Sequence, residues 1–175
     1  MDIAVMLWIS EVLETPWLTE IMRWITRLGD AGVIWLVFAL FFFFVKKDRK
    51  TALMLILAVA GTWAINDLII KNLVNRPRPF LVSEQLPALI AMPSSSSFPS
   101  GHTATSFAAL VILMSAGKPY SWLGLILTVL IAFSRIYLHV HFPSDVIAGM
   151  LVGFIIGLLT LKAFRSVAQR PRALP

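Results

Sequence analysis

The sequence contains no cysteine, which excludes disulfides, zinc–thiolate centres and thiol nucleophiles. Charge is also scarce. Asp, Glu, Lys and Arg make up 14% of the chain, against roughly 25% in soluble domains, so a surface wetted on all sides is excluded. The carboxylates form no cluster of the kind that chelates a divalent cation. No basic stretch precedes an apolar run after Met1-Asp2, so the expectation is that the spans themselves direct insertion, with no cleavable signal peptide.

What the chain has instead is apolar residues, 58% of the total with a mean hydropathy of +0.84, gathered into long runs. This predicts an all-α integral membrane bundle. Its 175 residues suffice for one domain, expected over 1–175. Clear spans are predicted at about Leu28–Val45, Thr51–Ile70, Gly101–Ala116, Trp122–Leu138 and Asp145–Leu161. Gly117-Lys118-Pro119 reads as a turn, and the proline- and serine-rich stretch from Asn72 to Ser100 reads as loop. Residues 1–29 mix apolar side chains with Glu11, Glu14, Glu20, Arg23 and Arg27. Trp8, Trp17 and Trp24 suit a membrane–water boundary, and Pro16 suits a helix start. The prediction there is one or two amphipathic helices on the membrane surface, with a sixth span as the alternative, giving five to six spans in all.

The formal charge of +6 sits mainly at the ends of apolar runs, which assigns it to topology and lipid headgroups, with no nucleic-acid partner. Lys46, Lys47, Arg49, Lys50, Lys118, Lys162, Arg165, Arg170 and Arg172 fall on one predicted side. Arg23, Arg27, Lys71, Arg76, Arg78 and Arg135 fall on the other. The first, larger set is expected to face the cytoplasm.

Three polar clusters fall on the outward side: Lys71 with Arg78, Ser100-Gly101-His102, and Ser134-Arg135 with His141 and Asp145. Lys71, Arg78 and Arg135 are three cations able to surround one anion, arginine by a planar fork and lysine as a point charge. The alternative for each is a side chain reaching headgroups, and Arg76 is placed in that class. Pro99-Ser100-Gly101-His102 reads as a helix start, with Ser100 as cap and Gly101 admitting a ligand to the free N–H groups. His141 and Asp145 are four residues apart. A carboxylate accepting from Nδ1 would leave Nε2 free to attack, although a structural His–Asp pair has the same spacing. His139 is read as structural. Asn66 and Asp67 have no role beyond pairing in the bundle. Two imidazoles and three cations without a metal cluster point to metal-independent phosphoryl transfer.

The three clusters resemble the motifs of the type 2 phosphatidic acid phosphatases, in order and spacing. These are Lys, six residues, Arg-Pro (Lys71, Arg78-Pro79), then Pro-Ser-Gly-His (Pro99 to His102), then Ser-Arg, five residues, His, three residues, Asp (Ser134-Arg135, His141, Asp145). The match occupies 71–145. The resemblance implies His141 as a nucleophile forming a phosphohistidine, Asp145 orienting it and His102 as general acid. It implies that Lys71, Arg78, Ser100, Gly101 and Arg135 hold the phosphate, with no metal and no cofactor. It further implies a lipid phosphate or diphosphate as substrate, such as undecaprenyl diphosphate, phosphatidylglycerol phosphate, phosphatidate or a lipid A phosphate. The expected setting is a bacterial inner membrane, with the site facing outward. A lipid phosphotransferase shares the same first step, and a membrane transporter is the reading from a different class.

Overall fold

A computed structural model of the protein describes residues 1–168; residues 169–175, with Arg170 and Arg172 of the basic tail, lie outside the described residues. Helices α1 (Asp2–Leu13) and α2 (Pro16–Leu28) are followed by a tight turn, Asp30–Gly32, and α3 (Val33–Phe44). α4 (Arg49–Thr62) runs on through a wider π-type segment, Trp63–Ile70, into α5 (Lys71–Val74). The short α6 (Pro79–Val82) and a serine-rich loop lead to α7 (Gly101–Ala116), α8 (Lys118–Tyr137) and α9 (Pro143–Ala168). No strand occurs among the described residues.

The helices are built as a bilayer demands. Apolar side chains cover the outside: Val37, Leu40 and Phe44 on α3, Ile56 and Leu57 on α4, Ile126 and Val129 on α8, Ile155 and Leu158 on α9. With every backbone group bonded inside a helix, such a surface is stable in lipid. Arg49–Val82, Lys118–Tyr137 and Pro143–Arg165 are each long and apolar enough to cross, and Pro16–Leu28 with Asp30–Phe44 forms a fourth candidate bent by 48°. α7 is a shorter apolar helix. The bend follows from Ala31 and Gly32, at φ 50° and 71°, which interrupt the apolar run predicted to be one helix from Leu28. α2 carries the expected amphipathic pattern, with Met22 and Thr26 inward and Trp17, Glu20 and Trp24 outward.

α7 is the central helix: from Thr103 to Leu113 only Phe107 escapes full burial. α9, α8 and α4 pack around it, and Trp35 of α3 reaches it through Nε1 to Ser106 Oγ at 3.2 Å. α9 lies closest. Gly149 and Gly153 lie so near α7 that a Cβ on either would stand 2.6 Å from the Ser100 carbonyl oxygen or 2.2 Å from that of Ala104. Small residues let helix backbones approach where no hydrophobic force acts between them. Two boundaries differ from expectation. Gly117 alone, at φ 131°, breaks α7 from α8, and Lys118 and Pro119 open α8. The loop after Ile70 holds two helical turns, the first ended by Asn75 in the left-handed region that asparagine tolerates.

Candidate active site

One cavity of about 1380 Å³ opens at the end of the bundle where α7 begins. Lys71, Arg78, Gly101, His102, Arg135 and His141 all line it. The three predicted clusters therefore converge, although 70 positions of sequence separate the first from the last. Arg135 comes from the last turn of α8, and His141 from the five-residue link to α9.

The two arginines are buried cations without an anionic partner among the described residues. Arg78 donates to the carbonyls of Ser95 (2.8 Å), Ser96 (3.3 Å) and Val140 (2.7 Å) and to Ser95 Oγ (3.1 Å). Its Nη1 stands 3.4 Å from His141 Nε2. Arg135 donates from Nη1 to Thr26 Oγ1 at 2.5 Å, and its buried Nε has no partner. A buried donor without a protein acceptor, and buried charge without a counter-charge, are costly and are relieved by an anion. Lys71 differs: its Nζ pairs with Asp67 Oδ1 at 2.5 Å. Asp67 lies over the start of α7, where a Cβ on Gly101 would meet both its oxygens at 3.2 Å. Asn66 Nδ2 contacts the same carboxylate at 3.4 Å.

Ser100 is the predicted cap. Its Oγ accepts from Thr103 N at 3.4 Å and Thr103 Oγ1 at 2.9 Å, and its own N–H donates to the Asp145 carbonyl at 3.0 Å. Ser100 itself is absent from the cavity wall, so its side chain shapes the helix end rather than facing the cavity. His102 is partly buried and donates from Nε2 to Asp30 Oδ1 at 2.9 Å.

His141 is 2% exposed. Burial, with Arg135 and Arg78 alongside, pushes its imidazole well below the ordinary histidine value, against the opposing pull of Asp145. The ring is therefore neutral at physiological pH. Its Nδ1 stands 3.7 Å from Asp145 Oδ2, too long for a hydrogen bond. The Asp145 carboxylate is instead engaged by Ser97 Oγ (2.5 Å) and Phe142 N (2.9 Å) on Oδ2 and by Arg76 Nη1 (2.5 Å) on Oδ1. Arg76 is thus no headgroup-seeking side chain, as the sequence suggested; it turns inward to the site's carboxylate. Ser97, Arg76, Asp30 and Thr26 all hold site groups, and none carried a sequence signal. His139 lies outside the cavity, donating from Nδ1 to the Pro87 carbonyl at 2.9 Å. Among the described residues no group of three His, Asp or Glu side chains is placed to hold a metal ion.

Residues 51–168 match the model of the PAP2 superfamily. The chain belongs to that superfamily. Among its PAP2 relatives, undecaprenyl-diphosphatase BcrC of Bacillus subtilis is 32% identical over 149 residues, covering 83% of this chain and 74% of the relative. Phosphatidylglycerophosphatase B of the same species is 30% identical over 175 residues, covering 92% and 82%. The crystal structure of Aquifex aeolicus LpxE superposes with a TM-score of 0.75 at 28% identity, over 92% of this chain and 94% of that one. The apolar spans and these PAP2 membrane relatives make this a multi-pass membrane protein.

Proposed function

We propose that this protein dephosphorylates a lipid phosphate or diphosphate through a phosphohistidine on His141. The observation that carries the reading is the cavity in which two imidazoles meet two buried, unpaired guanidiniums. His141 Nε2 attacks phosphorus, forming an N–P bond as the bond to the lipid oxygen breaks. His102 gives its proton to that leaving oxygen. Water then attacks the phosphohistidine, His102 takes its proton, and inorganic phosphate leaves. Arg78 and Arg135 neutralise the equatorial oxygens throughout, and Lys71 joins them once the phosphate competes with Asp67. Asp145 receives the Nδ1 proton's hydrogen bond as its separation from His141 shortens by roughly 1 Å, a tightening common on substrate binding.

The cavity suits a lipid. Beyond its charged end it is lined by Leu36, Ile56, Val59, Ala60 and Trp63 on one side and by Leu89 to Pro93 on the other. At about 1380 Å³ it exceeds the roughly 300–1,000 Å³ of ordinary small-molecule pockets, leaving space for a headgroup and the first part of a chain. The names of the relatives put undecaprenyl diphosphate and phosphatidylglycerol phosphate first in a panel, with phosphatidate and lipid A phosphate after them. The placement we propose is a bacterial inner membrane with the site facing outward, following the basic residues of the opposite loops. The 1–29 segment is proposed to lie along the boundary, as part of a single domain.

The deciding experiment is release of inorganic phosphate from that panel by purified protein in detergent. Label recovered in a second lipid would make the protein a phosphotransferase, and no turnover of any lipid phosphate would overturn the reading. Two further results are expected. Turnover persists in EDTA, because Arg78, Arg135 and Lys71 supply the positive charge, and vanadate inhibits by taking the trigonal-bipyramidal place of the transferring group. A strict magnesium requirement contradicts this. The acid limb of kcat/KM is expected well below the ordinary histidine value of about 6.5. A depressed His141 keeps its lone pair as pH falls through that range. A limb centred near 6.5 would show that His141 titrates as a free imidazole.

A further inference from the structure

The carboxylate behind the nucleophile is itself held by a second arginine. Asp145 has no exposed surface, so its charge survives only if other groups replace water. Among the described residues Arg76 supplies the one Lys or Arg contact to it, Nη1 to Oδ1 at 2.5 Å. The same Nη1 donates to Ser144 Oγ at 2.8 Å, and Nη2 donates to Asp2 Oδ2 at 3.0 Å. The guanidinium lies 4.1 Å from the centre of the Phe142 ring. Its backbone is clipped on both sides: the N–H donates to Ser96 Oγ and the carbonyl accepts from Ser97 N, each at 2.9 Å. Ser97 in turn donates to Asp145 Oδ2.

Arg76 and Arg78 therefore divide the work on either side of Pro77. Arg78 stands at His141 Nε2, on the reacting face. Arg76 stands at Asp145, behind the ring. Because Arg76 occupies Oδ1, the Oδ2 edge is the one turned toward His141 Nδ1. We propose that Arg76 is a positioning residue that acts through Asp145, keeping that carboxylate ionised and its Oδ2 directed at His141, with Asp2 of α1 fixing the guanidinium from outside. The proposal rests on His141 being the nucleophile, and it assigns to α1 a link to the catalytic pair.

The test is phosphate release from undecaprenyl diphosphate and phosphatidate in detergent by the wild type, Arg76→Gln, Arg76→Lys, Asp145→Asn and the double variant Arg76→Gln/Asp145→Asn. Arg76→Gln is expected to lower kcat about 100-fold, the scale of a misplacement near 1 Å, with KM within about two-fold. In the Asp145→Asn background it costs nothing further, since an arginine acting only through that carboxylate has nothing left to act on. Arg76→Lys keeps the charge but cannot reach Asp145 and Asp2 together. It recovers about ten-fold of the loss. Full kcat in Arg76→Gln, or a second full loss in the double variant, overturns the proposal. Should Arg76→Gln fail to fold in thermal unfolding, the lysine variant decides alone, and an unchanged kcat there overturns it. A wild type that releases no phosphate overturns the phosphatase reading itself and this inference with it. Failure confined to the Arg76 variants overturns this inference only.

Discussion

Replacing His141 with alanine is expected to lower phosphate release at least about 10⁴-fold, the scale on which removal of a covalent nucleophile acts, while the protein remains folded. The covalent route has one lone pair behind it, at His141 Nε2, which stands 3.4 Å from Arg78. The fold is expected to survive because His141 holds little together. Its Nδ1 has no hydrogen-bond partner, and its Nε2 makes one long contact, 3.4 Å to Arg78. The three cations remain, so vanadate or phosphate binding should persist within about ten-fold even as turnover disappears. His141→Asn, closer in volume, should behave the same and guards against a packing defect as the cause. Acid-quenched labelling should trap a phosphoprotein with the wild type and none with either variant. Undiminished turnover in His141→Ala removes this residue from the mechanism.

The largest effect on stability is expected at Gly153. A Cβ there would stand 2.2 Å from the Ala104 carbonyl oxygen and 2.9 Å from Phe107 Cβ. Both obstacles are fixed to the α7 backbone rather than to the tip of a flexible side chain, so α9 would have to move off. Gly153→Ala is expected to cost about 3 kcal/mol, the upper range of overpacking, and Gly153→Val more, read as thermal or detergent-induced unfolding. Activity should fall further than the folded fraction does. α7 carries His102 and α9 carries Asp145, and the Ser100 N–H to Asp145 carbonyl bond of 3.0 Å ties the two helix starts together. Gly61→Ala is the control. Its Cβ would meet nothing nearer than Ile156 Cγ2 at 3.5 Å, so the gain in helix propensity should leave it neutral or slightly more stable. Equal losses at Gly61 and Gly153 would mean that close packing of α7 and α9 is not what these glycines serve.

Much of the protein was legible before folding. The apolar runs announced a membrane-embedded helical bundle, because long stretches with bonded backbone and no charge have few other homes. Ser100 announced the start of α7, which the structure begins at Gly101 as expected. Lys71, Arg78, His102, Arg135 and His141 were legible as a set because each is costly near lipid and all fell on one predicted side. Other features were hidden for stated reasons. Arg76 lies in a proline-rich segment without periodicity, so nothing local tells which way its side chain points. The break at Asp30–Gly32 sits inside an apolar run, and only the two positive-φ residues reveal it. Gly149 and Gly153 look like any helix glycines until α7 is laid against them.

The amino-acid order alone determined that this chain is helical, lies in a membrane and carries the chemical groups of a phosphate site, because local patterning and the cost of charge in lipid act on neighbours in sequence. Only the tertiary structure decided who meets whom. It put Arg76 on Asp145 across 69 positions and Asp30 on His102 across 72. Among the described residues it left Arg78 and Arg135 without an anionic partner. Partnerships over such separations depend on how helices pack, and packing is set by shape at contacts that no stretch of sequence contains by itself.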